Sequence, residues 1–115
     1  MSLVLIVGEA PLSIEDVIAV ARKEKTVALP SSLAWTELIQ RGADFLDQLL
    51  QDEGVIYGVT TGYGDSCLVE IPPHQVNELP LHLSRFHGCG LGQNLDIITA
   101  RAVVVVRLCS LARGY

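Results

Sequence analysis

Residues 57–64 read Tyr-Gly-Val-Thr-Thr-Gly-Tyr-Gly, with three glycines and two tyrosines in eight positions. No ordinary helix runs through such a segment, because each interior glycine costs a helix about 1 kcal/mol relative to alanine. Whatever the chain folds into must break here and form a shaped loop. Glycine lets the backbone turn tightly and approach a ligand, and a phenol held beside it can donate, accept or, once ionised, remove a proton. Tyr57 and Tyr63 are the candidates for that chemistry. The same run, following Val55 and Ile56, also describes a strand ending in a turn, with no chemistry attached.

The flanking segments read as helices with a little sheet. Leu3 to Val7 is a short apolar strand stopped by Gly8 and Glu9. Ser13, with Asp16 three positions on, is a variant of the capping box and opens a helix whose apolar stripe is Ile14, Val17, Ile18 and Ala21. Thr26 to Leu29 is a second strand, and Pro30, Ser31 and Ser32 open a longer helix to about Leu50. Leu38, Ala43, Leu46, Leu49 and Leu50 recur there at helical spacing, interrupted by Gly42, and Trp35 reads as packing. Beyond the loop, Pro72-Pro73 suits a helix start. Val76, Leu79, Leu83 and Phe86 then carry a helical stripe that Pro80 should kink or break. Asn94 caps a last helix from Leu95 to about Arg113, apolar on more than one face, which marks a partner interface or further chain. The fold class expected is mainly α, with a small β element near the N-terminus.

Composition narrows the function. A net charge of -5 with scattered lysines and arginines argues against nucleic acid as a partner. Neither Leu3–Val7 nor the Val103–Val106 run, bounded by Arg101 and Arg107, is long enough to span a membrane, and no signal peptide is expected. The three cysteines, Cys67, Cys89 and Cys109, lack CxxC spacing and read as reduced thiols in a cytoplasmic protein. His74, His82 and His87 lie eight and five positions apart, not at ligand spacing on one helix face, so no metal is expected. Asp44, Asp47, Asp52 and Glu53 read as the polar side of a helix, and Ser110 as a packed or backbone-bonded hydroxyl. Gly88-x-Gly90-x-Gly92 lacks the dinucleotide-binding spacing and the preceding strand.

Three motifs in order carry a resemblance: Tyr57-Gly58-Val59-Thr60-Thr61-Gly62-Tyr63-Gly64, then His87-Gly88-Cys89-Gly90-Leu91-Gly92, then Arg107-Leu108-Cys109-Ser110-Leu111-Ala112-Arg113-Gly114. Together they resemble the N-terminal region of the aromatic amino acid ammonia-lyases and aminomutases, the group of the histidine, tyrosine and phenylalanine ammonia-lyases. The resemblance is strong from Gly54 onward and loose before it.

It implies the N-terminal domain, or a fragment, of the fumarase/aspartase-like fold, with residues 1–115 a single unit of a longer enzyme. It also implies a homotetramer whose active sites draw on several subunits, and elimination of ammonia from an aromatic L-amino acid to give the α,β-unsaturated acid. The electrophile in such enzymes is 4-methylideneimidazole-5-one (MIO), formed from an internal Ala-Ser-Gly that this chain does not contain. The 115 residues alone are therefore expected to be inactive.

By the same resemblance Tyr57 is the catalytic base, Gly64 lies where the loop passes the substrate, and His87 faces the substrate's aromatic ring. An ordinary phenol, with a pKa near 10, is mostly protonated at neutral pH, so its anion needs donors from the surrounding backbone. Tyr63 stands where relatives carry Phe or Tyr and reads as packing. Phe86-His87 departs from the pairs commoner in relatives, which leaves the choice of amino acid open. Without the resemblance, His87 is a helix C-terminal histidine followed by a glycine cap. Two other readings stay open: a noncatalytic helical binding or assembly module, and an aromatic aminomutase.

Overall fold

The computed structural model describes residues 3–52 and 54–114. They divide into two compact units, Met1–Ala43 with Gln93–Tyr115, and Asp44–Gly92.

The first unit begins with a β-α-β element. Strand β1 (Val4–Ile6) and strand β2 (Thr26–Ala28) pair in parallel, with Val4 opposite Thr26, Leu5 opposite Val27 and Ile6 opposite Ala28. Parallel strands need a crossover, and helix α1 (Ile14–Ala21) supplies it. Ser13 caps α1 as its sequence suggests: its Oγ accepts from the Asp16 amide at 3.1 Å and donates to the Asp16 carboxylate at 2.9 Å. That carboxylate also takes the Lys25 ammonium at 2.8 Å, and Lys25 first, then Ser13, hold Asp16 below the usual carboxylate range.

The last helix, α4 (Ile97–Ala112), packs on α1 and closes the core. Val105, Cys109 and Ala112 turn inward at spacings of four and three, so they share one face. Val7, fully buried, meets Cys109 and Ala112, with Leu5, Leu12, Val27, Trp35 and Leu108 packed around them. Two polar contacts pin the helix ends. Trp35 Nε1 donates to the Ala112 carbonyl at 2.7 Å, and Arg101 donates to the carbonyl of Ala21, the last residue of α1, at 3.3 Å. Trp35 thus packs as expected and also satisfies a carbonyl left over at a helix C-terminus. Ser110 donates to the Val106 carbonyl at 3.3 Å, the backbone-bonded role read for it.

Four expectations are corrected here. Asp96, not Asn94, caps α4: its carboxylate accepts from the amides of Ile98 and Thr99 at 3.0 Å each and from the Thr99 hydroxyl. The helix accordingly starts at Ile97, two residues later than Leu95. In α1 the apolar stripe is split, with Ala21 buried while Ile14 and Ile18 stay exposed. Helix α2 (Leu33–Gln51) runs through Gly42 without a break.

The boundary between the units falls inside α2, and none of that helix's side chains is buried. In the second unit α2 ends with the Gly54 amide donating to the Leu49 carbonyl at 2.8 Å. Glu53 lies outside the described residues. Pro73–Gln75 forms one 3-10 turn, and helix α3 (Leu79–His87) begins only afterwards. Pro80 therefore falls in the first turn of α3, where an amide has no partner to lose, and does not kink it.

On α4 the side chains of Val103, Val104, Val106 and Leu111 remain exposed, as its all-round apolar character leads one to expect. Among the described residues, no helix is long and apolar enough to cross a membrane. No group of three metal-ligating side chains occurs among them either.

Candidate functional site

Tyr57, Gly64 and His87 all belong to the second unit. Residues 54–63 lie outside any helix or named strand, with a turn at 57–60, so the strand reading of Val55 to Tyr57 fails. The loop begins with Thr60, whose hydroxyl accepts from the Ile56 amide at 2.8 Å and donates to the Gly54 carbonyl at 3.1 Å. The Thr60 amide returns to the Ile56 carbonyl at 2.9 Å, closing one turn. On its far side the loop is bound to residues 69–71: Thr61 bridges Glu70, the Gly62 amide donates to Val69, and the Ile71 amide donates to Thr60.

Inside this frame Gly58 takes φ +71°, a left-handed conformation, and a Cβ placed there would sit 2.6 Å from the Tyr63 ring. Only glycine meets both demands. The Tyr63 ring in turn stands edge-on to that of Tyr57, with centroids 6.1 Å apart, which is the packing role read for it.

Tyr57 is 64 % exposed, and its hydroxyl oxygen accepts a hydrogen bond from the Gly64 amide at 3.0 Å. Gly64 opens a 3-10 helix, Gly64–Leu68, and its amide is one of those a helix start leaves without an internal acceptor. The arrangement is therefore a phenol oxygen open to solvent, with a fixed donor aimed at the atom that carries charge when the phenol ionises. Gly64 has φ +57° and no atom within 4 Å of where a Cβ would stand. This glycine answers to its backbone conformation, not to a neighbour in the chain.

His87 ends α3, exposed, with Gly88 as the capping residue at φ -77°, so the cap is not the left-handed kind. The imidazole meets the Phe86 ring edge-on, at 4.6 Å between centroids. Among the described residues no hydrogen bond or ring contact joins His87 to Tyr57 or Gly64. The structure thus brings Tyr57 and Gly64 together. His74 and His82 are exposed, and His82 stands 3.7 Å from Glu78.

An open cleft of about 650 Å³ lies in the same unit, lined among others by Leu50, Val55, Thr60, Thr61, Glu70 and Val76. None of Tyr57, Gly64 and His87 lines it. Sequence reasoning missed Thr61, the one buried polar side chain among the described residues. The threonine pair in the middle of a glycine loop is the signal that could have found it, because hydroxyls compete well for turn backbone.

The chain is mainly helical and presents an exposed tyrosine, its oxygen held by a backbone amide, in a glycine-built loop. The sequence matches the family described as aromatic amino acid lyase over residues 12–115. The chain belongs to the aromatic amino acid lyase family.

It is 36% identical to the histidine ammonia-lyase of Streptococcus gordonii over 104 residues, which is 90% of this chain and 20% of that protein. To the histidine ammonia-lyase of Streptococcus pyogenes serotype M3 it is 37% identical over 108 residues, 94% of this chain and 20% of the other. Among solved structures, a tyrosine aminomutase from Streptomyces globisporus superimposes with a TM-score of 0.86 at 32% identity, over 96% of this chain and 20% of that one. A histidine ammonia-lyase from Trypanosoma cruzi gives 0.76 at 28%, over 96% of this chain and 21% of its own.

The chain thus spans about a fifth of the length of these relatives. The four α-helices and two-stranded sheet of the described residues match the fold of the lyase and aminomutase neighbours, as the sequence resemblance implied. Ala-Ser-Gly does not occur in the 115 residues.

Proposed function

We propose that this chain is the N-terminal part of an aromatic amino acid ammonia-lyase that converts L-histidine, or a related aromatic L-amino acid, to the α,β-unsaturated acid. Tyr57 takes the β-proton, Gly64 leaves room for the substrate beside the phenol, and His87 faces the substrate's ring. The single observation that carries this reading is the exposed Tyr57 oxygen accepting from the Gly64 amide at 3.0 Å. A base must be reachable, and its anion must find a donor already in place; this geometry offers both.

The similarity to histidine ammonia-lyases supports histidine as the first substrate to try. An imidazole at position 87 suits a ring that offers hydrogen-bonding atoms, since it can donate to or accept from another imidazole or a phenol. MIO, supplied by residues outside this chain, is the expected cofactor. The complete enzyme is proposed to be a cytoplasmic homotetramer, and the 115 residues alone to be inactive. Exposed valines on α4 support further chain or subunits covering that face.

A second reading, an aromatic 2,3-aminomutase, is favoured by the likeness to the tyrosine aminomutase. One experiment separates the two. Full-length protein is given histidine, tyrosine and phenylalanine in turn, and products are followed by ultraviolet absorbance and by chromatography for β-amino acids. Urocanate or another unsaturated acid with released ammonia supports the lyase. A β-amino acid as main product replaces it with the mutase, and no turnover of any of the three contradicts both.

A further inference from the structure

We infer that Thr61 is a positioning residue for the Tyr57 base, acting through a buried hydroxyl that clamps the loop on both sides of it. The inference rests on the reading of Tyr57 given above. Thr61 is only 4 % exposed in a loop whose other side chains are exposed or half-buried, and its hydroxyl is doubly engaged. It accepts from the Gly58 amide at 3.1 Å and donates to the Gly62 carbonyl at 3.0 Å.

These two partners sit inside the contact that matters. Gly58 directly follows Tyr57, and Gly62 is two residues before Gly64, so one hydroxyl ties the base's backbone to that of its donor. The span from Tyr57 to Gly64 has soft glycine dihedrals at Gly58 and Gly62, and little apolar packing to set them. The Thr61 hydroxyl removes that freedom, while the Thr61–Glu70 bridge and the Gly62–Val69 bond anchor the clamp to the neighbouring segment. The hydroxyl's proton and one of its two lone pairs are engaged within the loop, so its bonds hold the geometry of the segment between Tyr57 and Gly64.

A small displacement of a catalytic group is costly for rate. In full-length enzyme, Thr61→Val keeps the shape and removes the hydroxyl, and is expected to lower kcat by about 10- to 100-fold with KM within about twofold. Thr61→Ser keeps the hydroxyl and is expected to restore kcat to within about threefold of the parent. A structural role alone would lower the amount of folded enzyme without changing kcat per folded site, so active protein is counted by circular dichroism and gel filtration. Should Thr61→Val not fold, Thr61→Ala, which puts no methyl against the Gly58 amide, is measured in its place.

Three results overturn the inference: unchanged kcat in the hydroxyl-free variant, a rise in KM with kcat retained, or Thr61→Ser falling as far as Thr61→Val. Tyr57→Phe is measured alongside. If it is inactive while Thr61→Val is fully active, only the positioning role is lost. If Tyr57→Phe itself turns over normally, the base reading fails first.

Discussion

The two units of this chain are held by different forces. In residues 3–43 with 93–114, order comes from apolar burial: Val7, Ala21, Val105, Cys109 and Ala112 are buried, and among the described residues every buried apolar side chain lies here. Among the described residues of 44–92 the only buried side chain with atoms to pack is that of Thr61, and it is polar. That unit keeps its loop by hydroxyl-to-backbone bonds from Thr60 and Thr61, a short bridge to Glu70, and a glycine that no other residue could replace without moving Tyr63. Apolar burial is non-directional and sets overall stability, whereas short hydrogen bonds fix direction at modest net energy. The unit that carries the candidate base is the one built for direction.

That contrast can be broken or sharpened by substitution. The largest effect is expected from Val7→Asp, which puts an unpaired carboxylate into a fully buried site: urea unfolding should show a loss of about 4 kcal/mol or more. Should the first unit tolerate that charge, its core is not what holds it.

Trp35→Phe deletes the bond to the Ala112 carbonyl and leaves that carbonyl unpartnered, at a cost of about 1–3 kcal/mol in the same measurement.

Gly58→Ala tests the other side of the comparison. Strain at φ +71° should cost about 1–2 kcal/mol and stay local, with hydrogen exchange at Val105 and Cys109 unaltered while the full-length enzyme loses turnover about tenfold or more. Faster exchange at those core amides would show that the units do not answer to separate forces.

The smallest effect concerns acid. Asp96 is held below the usual carboxylate range, first by the Thr99 hydroxyl and then by backbone amides, and Asp16 by Lys25 and Ser13. Because the folded chain lowers both values, their stabilisation is complete above the unfolded value of about 4 and is lost as pH falls through the lower folded values. Both groups are exposed and screened, so the slope is slight; Asp96→Asn, still a good cap, should flatten part of it in thermal melts between neutral and strongly acidic pH.

Much of the first unit was legible because its signals are local. Ser13 with Asp16, the apolar strands and the helical spacing all act within a few residues, and they placed β1, α1, β2 and α2 to within a residue or two. The cap of α4 was misplaced because Asn94 and Asp96 are both good caps two positions apart, and only the carboxylate's two amides and a hydroxyl decide between them. The Pro80 position was misjudged for a related reason: a proline breaks a helix interior yet opens a helix well, and the sequence does not say which residue is first.

In the second unit the glycines announced a loop and the motif nominated Tyr57, but the Tyr57–Gly64 bond spans seven residues and depends on dihedrals at Gly58 that no periodicity encodes. Thr61 was overlooked because a threonine in a turn is ordinary until its burial is known. His87 was nominated by the motif alone, and no contact among the described residues ties it to the other two.

The central claim is that the Tyr57 oxygen, open and backed by the Gly64 amide, is the base. Its most direct test is steady-state turnover of Tyr57→Phe in the full-length enzyme, measured beside its thermal unfolding. The account predicts turnover reduced by about 100-fold or more with an unchanged melting temperature, the removal of one oxygen and nothing else. Turnover within a few fold of the parent, in protein that is as stably folded, would contradict it.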